Sequence, residues 1–230
     1  MPDVQLRTFA RTHEIFPTRI IKSGGSPVEI PRKGNALFDL AIPTDTETYD
    51  LYDYVSRNRL VGLLAIKDGE IVHEYNDSGF DADTRWMSMS MAKSVSTTLV
   101  GTAIKDGYID SVDDQLVKYM PELSGSGYDG VSIRHLLQMT SGVKWDDTHT
   151  TPGSERRVML DLQVAQQPGA IMELMASLPR IAEPGQVWNY STGETHVVGA
   201  LVKAATGKWL ADYCSERMWS RLGMDSDAAW

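Results

Sequence analysis

Three features of this sequence predict an α/β fold of the α+β kind, with an antiparallel sheet flanked by helices and joined to a mostly helical region. Two β-rich runs, 60–66 and 70–75, meet through Lys67-Asp68-Gly69, and Asp-Gly between apolar runs marks a hairpin. A helix whose large residues are almost all apolar follows at 91–104, which predicts burial on most of its sides. Beyond it, short capped helical patterns succeed one another with a single further strand, at 186–190. The 230 residues, 42% hydrophobic and 23% charged, suffice to bury a sizeable core in one domain.

Residues 1–45 hold no sustained period. Pro17, Gly24-Gly25, Pro27, Pro31, Gly34 and Pro43 interrupt each candidate element, which predicts an arm laid over a surface. Residues 46–57 read as a polar helix opened by Thr44 or Asp45. After the hairpin a polar loop, 76–84, leads into the apolar helix, which stops at Gly107. Asp113 or Asp114 is then placed to cap a short helix ended by Pro121, and Ser132 opens another, IRHLLQM, closed at Ser141-Gly142. Residues 143–185 are turn-rich, with two modest helices at 154–162 and 169–178. An excursion this long (about 108–185 in all) more often covers a site than fills a core. Ser191-Thr192-Gly193-Glu194 fits a capping box at the start of a helix running to Thr206-Gly207, and a last helix spans 209–221.

Composition narrows the function classes. A net charge of −9 with no basic cluster argues against nucleic acid or an anionic membrane as partner. One cysteine, Cys214, rules out an intramolecular disulfide framework and reads as a buried small hydrophobe. Residues 1–16 lack the apolar core of a signal peptide, and nowhere do 18 apolar residues run uninterrupted. The expectation is a soluble protein, cytoplasmic, or periplasmic if a signal peptide has been removed. His13, His73, His135, His149 and His196 share no metal-ligand spacing, and Asp146-Asp147 beside His149 reads as solvated loop.

The chemistry concentrates at the mouth of the apolar helix, where Ser90 and Lys93 stand three apart. Lys93 occupies the first turn, at the positive end of the helix dipole, where a cation is disfavoured by roughly 0.3–1 kcal/mol. Apolar neighbours penalise the ammonium form as well, so a neutral amine becomes available to take a serine proton. A spacing of three puts both side chains on one helix face, within hydrogen-bond reach. About one S-x-x-K match is expected by chance in such a chain, and a second occurs at Ser141–Lys144. That decoy holds a glycine and follows a short apolar run, marking a helix end instead of a helix start. Tyr190, ending a strand just before a capped helix, is the candidate third member. It also fits the hydrophobic residue that precedes an N-cap and packs on the first turn.

WMSMSMAKSVSTTLVG, DGYIDSVDDQLVKYMPEL, VSIRHLLQMTSGV and EPGQVWNYSTGETHVVGALVKAATGK together resemble the serine β-lactamase-like hydrolases, which include class C β-lactamases, DD-peptidases and related esterases and amide hydrolases. Within them the chain is most similar to the 6-aminohexanoate-dimer (nylon-oligomer) hydrolase branch. The resemblance runs from about Asp45 to the end, with four motifs in order. It implies a β-lactamase/transpeptidase-like fold, Ser90 as nucleophile, Lys93 as its base, Tyr190 as second acid/base group, and no metal or organic cofactor. The substrate implied is a small ester or linear amide, with β-lactamase or DD-peptidase activity as alternatives and a non-catalytic binding module as a further one.

Two departures accompany the resemblance. Many relatives carry asparagine two residues after the tyrosine, to bind the substrate acyl side chain; here Thr192 stands there. Trp188 and Trp145, with the Trp86, Met87, Met89 and Met91 run, are further candidates for a substrate pocket or for core packing. The Lys-Thr-Gly or His-x-Gly triplet that relatives place on a late strand does not occur in a strand setting; Thr206-Gly207-Lys208 reads the wrong way round at a helix end. The expectation is therefore an arm, 1–45, and the N-terminal portion of a catalytic domain, 46–230. The sheet strands missing here would come from a C-terminal fragment that completes the fold.

Overall fold

The computed structural model describes residues 2–34, 37, 39–77 and 79–230. The expected arm and polar loop therefore fall partly, at residues 1, 35, 36, 38 and 78, outside the described residues. The chain divides into two compact units, Met1–Met87 with Trp219–Trp230, and Ser88–Met218.

All strands among the described residues lie in the first unit. β1 (Ile20–Ile21) pairs antiparallel with the terminal β6 (Ala228–Ala229), and β2 (Ile42–Pro43) pairs with β3 (Thr48–Tyr49). The expected hairpin forms as β4 (Gly62–Lys67) and β5 (Glu70–Asn76), with a bulge between Ala65 and Ile66. Its two-residue turn holds Asp68 and Gly69 at φ 55° and 80°, the left-handed conformations that a tight hairpin requires and that Asp-Gly tolerates. Alternation along β5 buries Ile71 and His73 on one face. The helix expected from residue 46 begins later, as α3 (Leu51–Asn58). Asp50 accepts the Asp53 N–H at 2.7 Å, and the Asp53 carboxylate accepts the Asp50 N–H at 3.2 Å. Thr44 caps no helix; its hydroxyl accepts the Glu47 N–H at 3.1 Å and closes the β2–β3 turn. Two helices, α1 (Pro2–Ala10) and α2 (Thr12–Ile15), occupy a stretch in which the sequence shows no period. Trp86 sits edge-on between Phe9 and Phe80, and Met87 Sδ accepts the Thr12 hydroxyl at 3.3 Å.

The second unit is helical. α4 (Met91–Lys105) packs on α8 (Thr192–Thr206), burying Leu99, Val100 and Ala103 with Val197, Val198, Leu201 and Val202. α5 (Ile133–Leu137), α7 (Ala170–Ser177) and α9 (Leu210–Arg217) also pack on α8, and so does α6 (Glu155–Val164). Cys214 is buried on α9. α4 is less enclosed than its composition predicts. Ser94, Thr98, Gly101 and Lys105 form an exposed face, because the small hydroxyl residues cost little to leave in water. Among the described residues no helix is long and apolar enough to cross a membrane.

Capping chemistry sets the boundaries here. Ser132 accepts the His135 N–H at 3.2 Å while His135 Nδ1 accepts the Ser132 N–H at 3.3 Å, fixing the start of α5. Ser132→Ala is expected to lower unfolding free energy by about 1 kcal/mol. The urea midpoint checks this, and an unchanged midpoint would remove the cap from the account. The helix expected after Asp113 is only a 3-10 turn, Leu116–Lys118. Asp114 does not cap it, because its carboxylate is committed to Tyr119, Lys118 and the Ser111 N–H.

Candidate active site

Ser90 opens α4 and lies exposed, with Lys93 half-buried one turn along. The residue before it, Met89, is held at φ 49°, which costs on the order of 1 kcal/mol for a residue with a side chain. The turn that holds it is closed by Met91 N–H to Ser88 O and Ala92 N–H to Met89 O, both 3.2 Å. Strain at this point aims the serine from the helix end. The Ser90 N–H makes no hydrogen bond among the described residues.

Lys93 Nζ donates to Ser90 Oγ at 3.1 Å, and Ser90 Oγ shares a second hydrogen bond with Tyr190 Oη at 2.9 Å. Lys93 Nζ lies 5.3 Å from the centre of the Tyr190 ring. Two groups, three and a hundred residues from Ser90 in the chain, thus converge on its oxygen, and Lys93 forms no ion pair among the described residues. A hydroxyl so placed can lose its proton to a neutral amine, directly or by relay through the phenol, which hands its own proton on. The second S-x-x-K match shows no such pairing: Ser141 is buried against Glu194, and Lys144 bonds Glu155 at 2.6 Å.

Tyr190 ends a segment expected to be a strand, yet 186–190 has no partner strand. Its backbone finds two bonds, Gln186 N–H to Glu183 O at 3.2 Å within a turn and Asn189 N–H to Met139 O at 3.0 Å, too few for a ladder. The segment is instead tied down by the loop 139–147. Asn189 Nδ2 donates to Trp145 O at 2.8 Å, and the Thr192 N–H donates to Asp147 Oδ1 at 3.0 Å. The same Asp147 oxygen accepts Trp145 Nε1 at 2.7 Å, and Met139 Sδ accepts the Ser191 N–H at 3.4 Å. Met139 is itself left-handed, at φ 55°.

The capping box at the head of α8 is half made. Ser191 Oγ accepts the Glu194 N–H at 3.0 Å, but the Glu194 side chain turns away and accepts the Ser141 hydroxyl instead. Burial pushes the Glu194 carboxyl up to about 7, and the Ser141 hydrogen bond works in the opposite direction. Tyr128, fully buried, is likewise pushed up by burial and by the nearby Glu194 charge. A cavity of about 140 Å³ is lined by Met139, Ser141, Ile181, Val187, Asn189 and Glu194 among others; Ser90, Lys93 and Tyr190 do not line it.

The remaining candidates are placed differently from one another. Trp188 is 67% exposed, whereas Trp145 is 6% exposed and packs beneath the first turn of α8. There Gly193 leaves room for it, since a Cβ would meet Trp145 Cζ3 and Met175 Sδ at 2.5 Å. Trp145 is thus buried support rather than open wall. Thr192 is half-buried and its hydroxyl makes no hydrogen bond among the described residues; its backbone N–H carries the contact. No group of three His, Cys, Asp or Glu residues that could hold a metal ion occurs among the described residues. Asp147 and Glu194 are the site residues that sequence reading missed. Their partners lie 45 and 53 positions away, so no local pattern marks them.

The Beta-lactamase family model matches residues 56–229. A 6-aminohexanoate-dimer hydrolase of Paenarthrobacter ureafaciens is 28% identical over 227 residues, covering 96% of this chain and 56% of the relative. A D-aminopeptidase of Brucella anthropi is 25% identical over 71% of this chain and 31% of its own length. Among solved structures, a Bacillus anthracis protein provisionally assigned as a 6-aminohexanoate-dimer hydrolase superposes with a TM-score of 0.86 at 20% identity. That match covers 97% of this chain and 61% of the other. A class C β-lactamase superposes with a TM-score of 0.59 at 19% identity. At such identities the superpositions speak for the fold, a β-lactamase/transpeptidase-like arrangement of helices and small antiparallel sheets. The chain spans little more than half the length of the first relative it matches.

Proposed function

The chain belongs to the Beta-lactamase family, and from that premise we propose that it carries the nucleophile side of a serine hydrolase. Ser90 is the nucleophile, Lys93 its base and Tyr190 the second acid/base group. The observation that carries this is the convergence of Lys93 Nζ and Tyr190 Oη on Ser90 Oγ, at 3.1 and 2.9 Å.

Ser90 attacks an ester or linear amide carbonyl while its proton passes to Lys93, directly or through Tyr190. The Ser90 N–H, at the positive end of α4, donates to the tetrahedral oxyanion; removing one such donor typically costs about 10²–10³ in rate. Tyr190 protonates the leaving group, then deprotonates the water that releases the acyl-enzyme. The relatives' names, a dimer hydrolase and an aminopeptidase, favour an amide as substrate. Exposed Trp188 and the Thr192 hydroxyl are the chain's contributions to the substrate wall, with buried Trp145 supporting them. The second oxyanion donor and the opposite wall belong to the part of the fold that the longer relatives have beyond the matched length. On this reading residues 46–230 are the N-terminal portion of the catalytic domain.

The test is covalent labelling with a fluorophosphonate followed by peptide mass mapping. The adduct is expected on Ser90 and absent in Ser90→Ala. A label elsewhere, or undiminished turnover of a chromogenic short-chain ester in Ser90→Ala, would overturn the assignment.

A further inference from the structure

We propose that Asp147 is a positioning residue, holding Tyr190 in register with Ser90 by anchoring the backbone that follows it; this rests on the catalytic reading above. Tyr190 lies in a segment with no strand partner, so neither a ladder nor a helix fixes its φ and ψ. What fixes them is ties on each side: Met139 accepts the Asn189 N–H at 3.0 Å and the Ser191 N–H at 3.4 Å, and two further ties reach beyond it. Before Tyr190, Asn189 Nδ2 reaches Trp145 O at 2.8 Å; after it, the Thr192 N–H reaches Asp147 Oδ1 at 3.0 Å. Both anchors come from one three-residue stretch, Trp145–Asp147, in the loop that precedes α6.

Asp147 is the key to that stretch because one carboxylate oxygen serves two donors. It accepts the Trp145 indole N–H at 2.7 Å as well as the Thr192 N–H. Thr192 is the first residue of the fifteen-residue α8, so its N–H is one of the four that no intrahelical carbonyl can satisfy. Ser191 caps a different member of that set, the Glu194 N–H. Asp147 therefore acts as an out-of-sequence cap, and its charge suits the positive end of the helix. The indole bond in turn fixes the aspartate, with Trp145 buried beneath Gly193. The Tyr190 Oη has 2.9 Å to span to Ser90 Oγ. A shift of about 1 Å in its backbone is enough to cost on the order of 10²-fold in a reaction that depends on that contact.

The experiment compares Asp147→Ala with Asp147→Asn, which keeps an oxygen acceptor for both donors. The full 230-residue chain carries 13C-labelled tyrosine, with the Tyr190 resonance identified by its loss in Tyr190→Phe. In Asp147→Ala that resonance is expected to move and Ser90 labelling by the fluorophosphonate to slow by about 10–10²-fold. In Asp147→Asn the resonance stays in place and the rate falls within about threefold of the parent, the spread of one retained neutral bond. If Asp147→Ala does not fold, Asp147→Ser, too short to reach Thr192, replaces it with the same expectations. A Tyr190 resonance unmoved in the Ala or Ser variant overturns the proposal, even if the Trp145 indole signal and the melting temperature change. If the parent chain shows no labelling at Ser90, the hydrolase reading fails, and the Tyr190 resonance alone decides for or against Asp147.

Discussion

Lys93→Met is expected to slow fluorophosphonate modification of Ser90 by about 10²–10⁴-fold, the range for losing a positioned general base. Methionine keeps the length of the side chain and its packing on the half-buried first turn of α4, so the fold should persist. Tyr190→Phe removes the other partner of Ser90 Oγ while leaving the ring beside Lys93, and a loss in the same range is expected for turnover of an ester. Both hydrogen bonds end on the same oxygen, so the double variant should fall well short of the product of the two single losses. Stopped-flow or gel-based labelling rates at fixed probe concentration provide the comparison. A Lys93→Met rate equal to the parent's would remove lysine from the mechanism, and strict multiplicativity would show that the two groups act in separate steps.

Whether such a site could be read from the sequence depends on how local its determinants are. Ser90 and Lys93 were legible because both sit on one helical turn, and the apolar face of α4 announces that turn. The β4–β5 hairpin, the Ser132 cap and the Gly207 that ends α8 were legible for the same reason; each is fixed within four or five residues. Tyr190 is only a candidate by its place before a capped helix, and the role proposed for it comes from the family resemblance. The matching family model and the β-lactamase/transpeptidase-like superposition bear out the resemblance and the α+β class.

Other features depend on residues far apart in the chain. β1 pairs with β6 across more than two hundred positions, so nothing near Ile20 foretells a strand. The expected strand at 186–190 has the right residues but no neighbour to bond, and side-chain ties from Trp145 and Asp147 replace the ladder. The capping box at 191–194 had the right spacing, yet a buried serine fifty-three residues away claims the glutamate. Asp147 was read as solvated loop because an aspartate in a turn-rich stretch usually is. Only the fold brings the head of α8 to it.

Glu194 should make the stability of the Ser88–Met218 unit depend on pH in an unusual direction. Glu194 is 4% exposed, and burial raises its carboxyl from the ordinary glutamate value of 4.5 to about 7. Between those two values the folded protein holds a proton there that the unfolded chain has released. Folding is therefore weakened, not strengthened, as pH rises through this window. Below 4.5 both states are protonated and the penalty vanishes; above 7 both are ionised and it is complete, at about 3 kcal/mol. Glu194→Gln is neutral throughout and still accepts the Ser141 hydroxyl, so its stability should lack this slope. Urea unfolding of both proteins at intervals from pH 5 to pH 8 is the measurement, with the difference between them expected to change by up to about 3 kcal/mol in favour of the glutamine variant. Parallel curves would mean that Glu194 is already ionised at pH 5 and that Ser141 compensates its burial. The consequence reaches the site, because the Glu194 N–H and side chain both brace the turn that begins two residues after Tyr190.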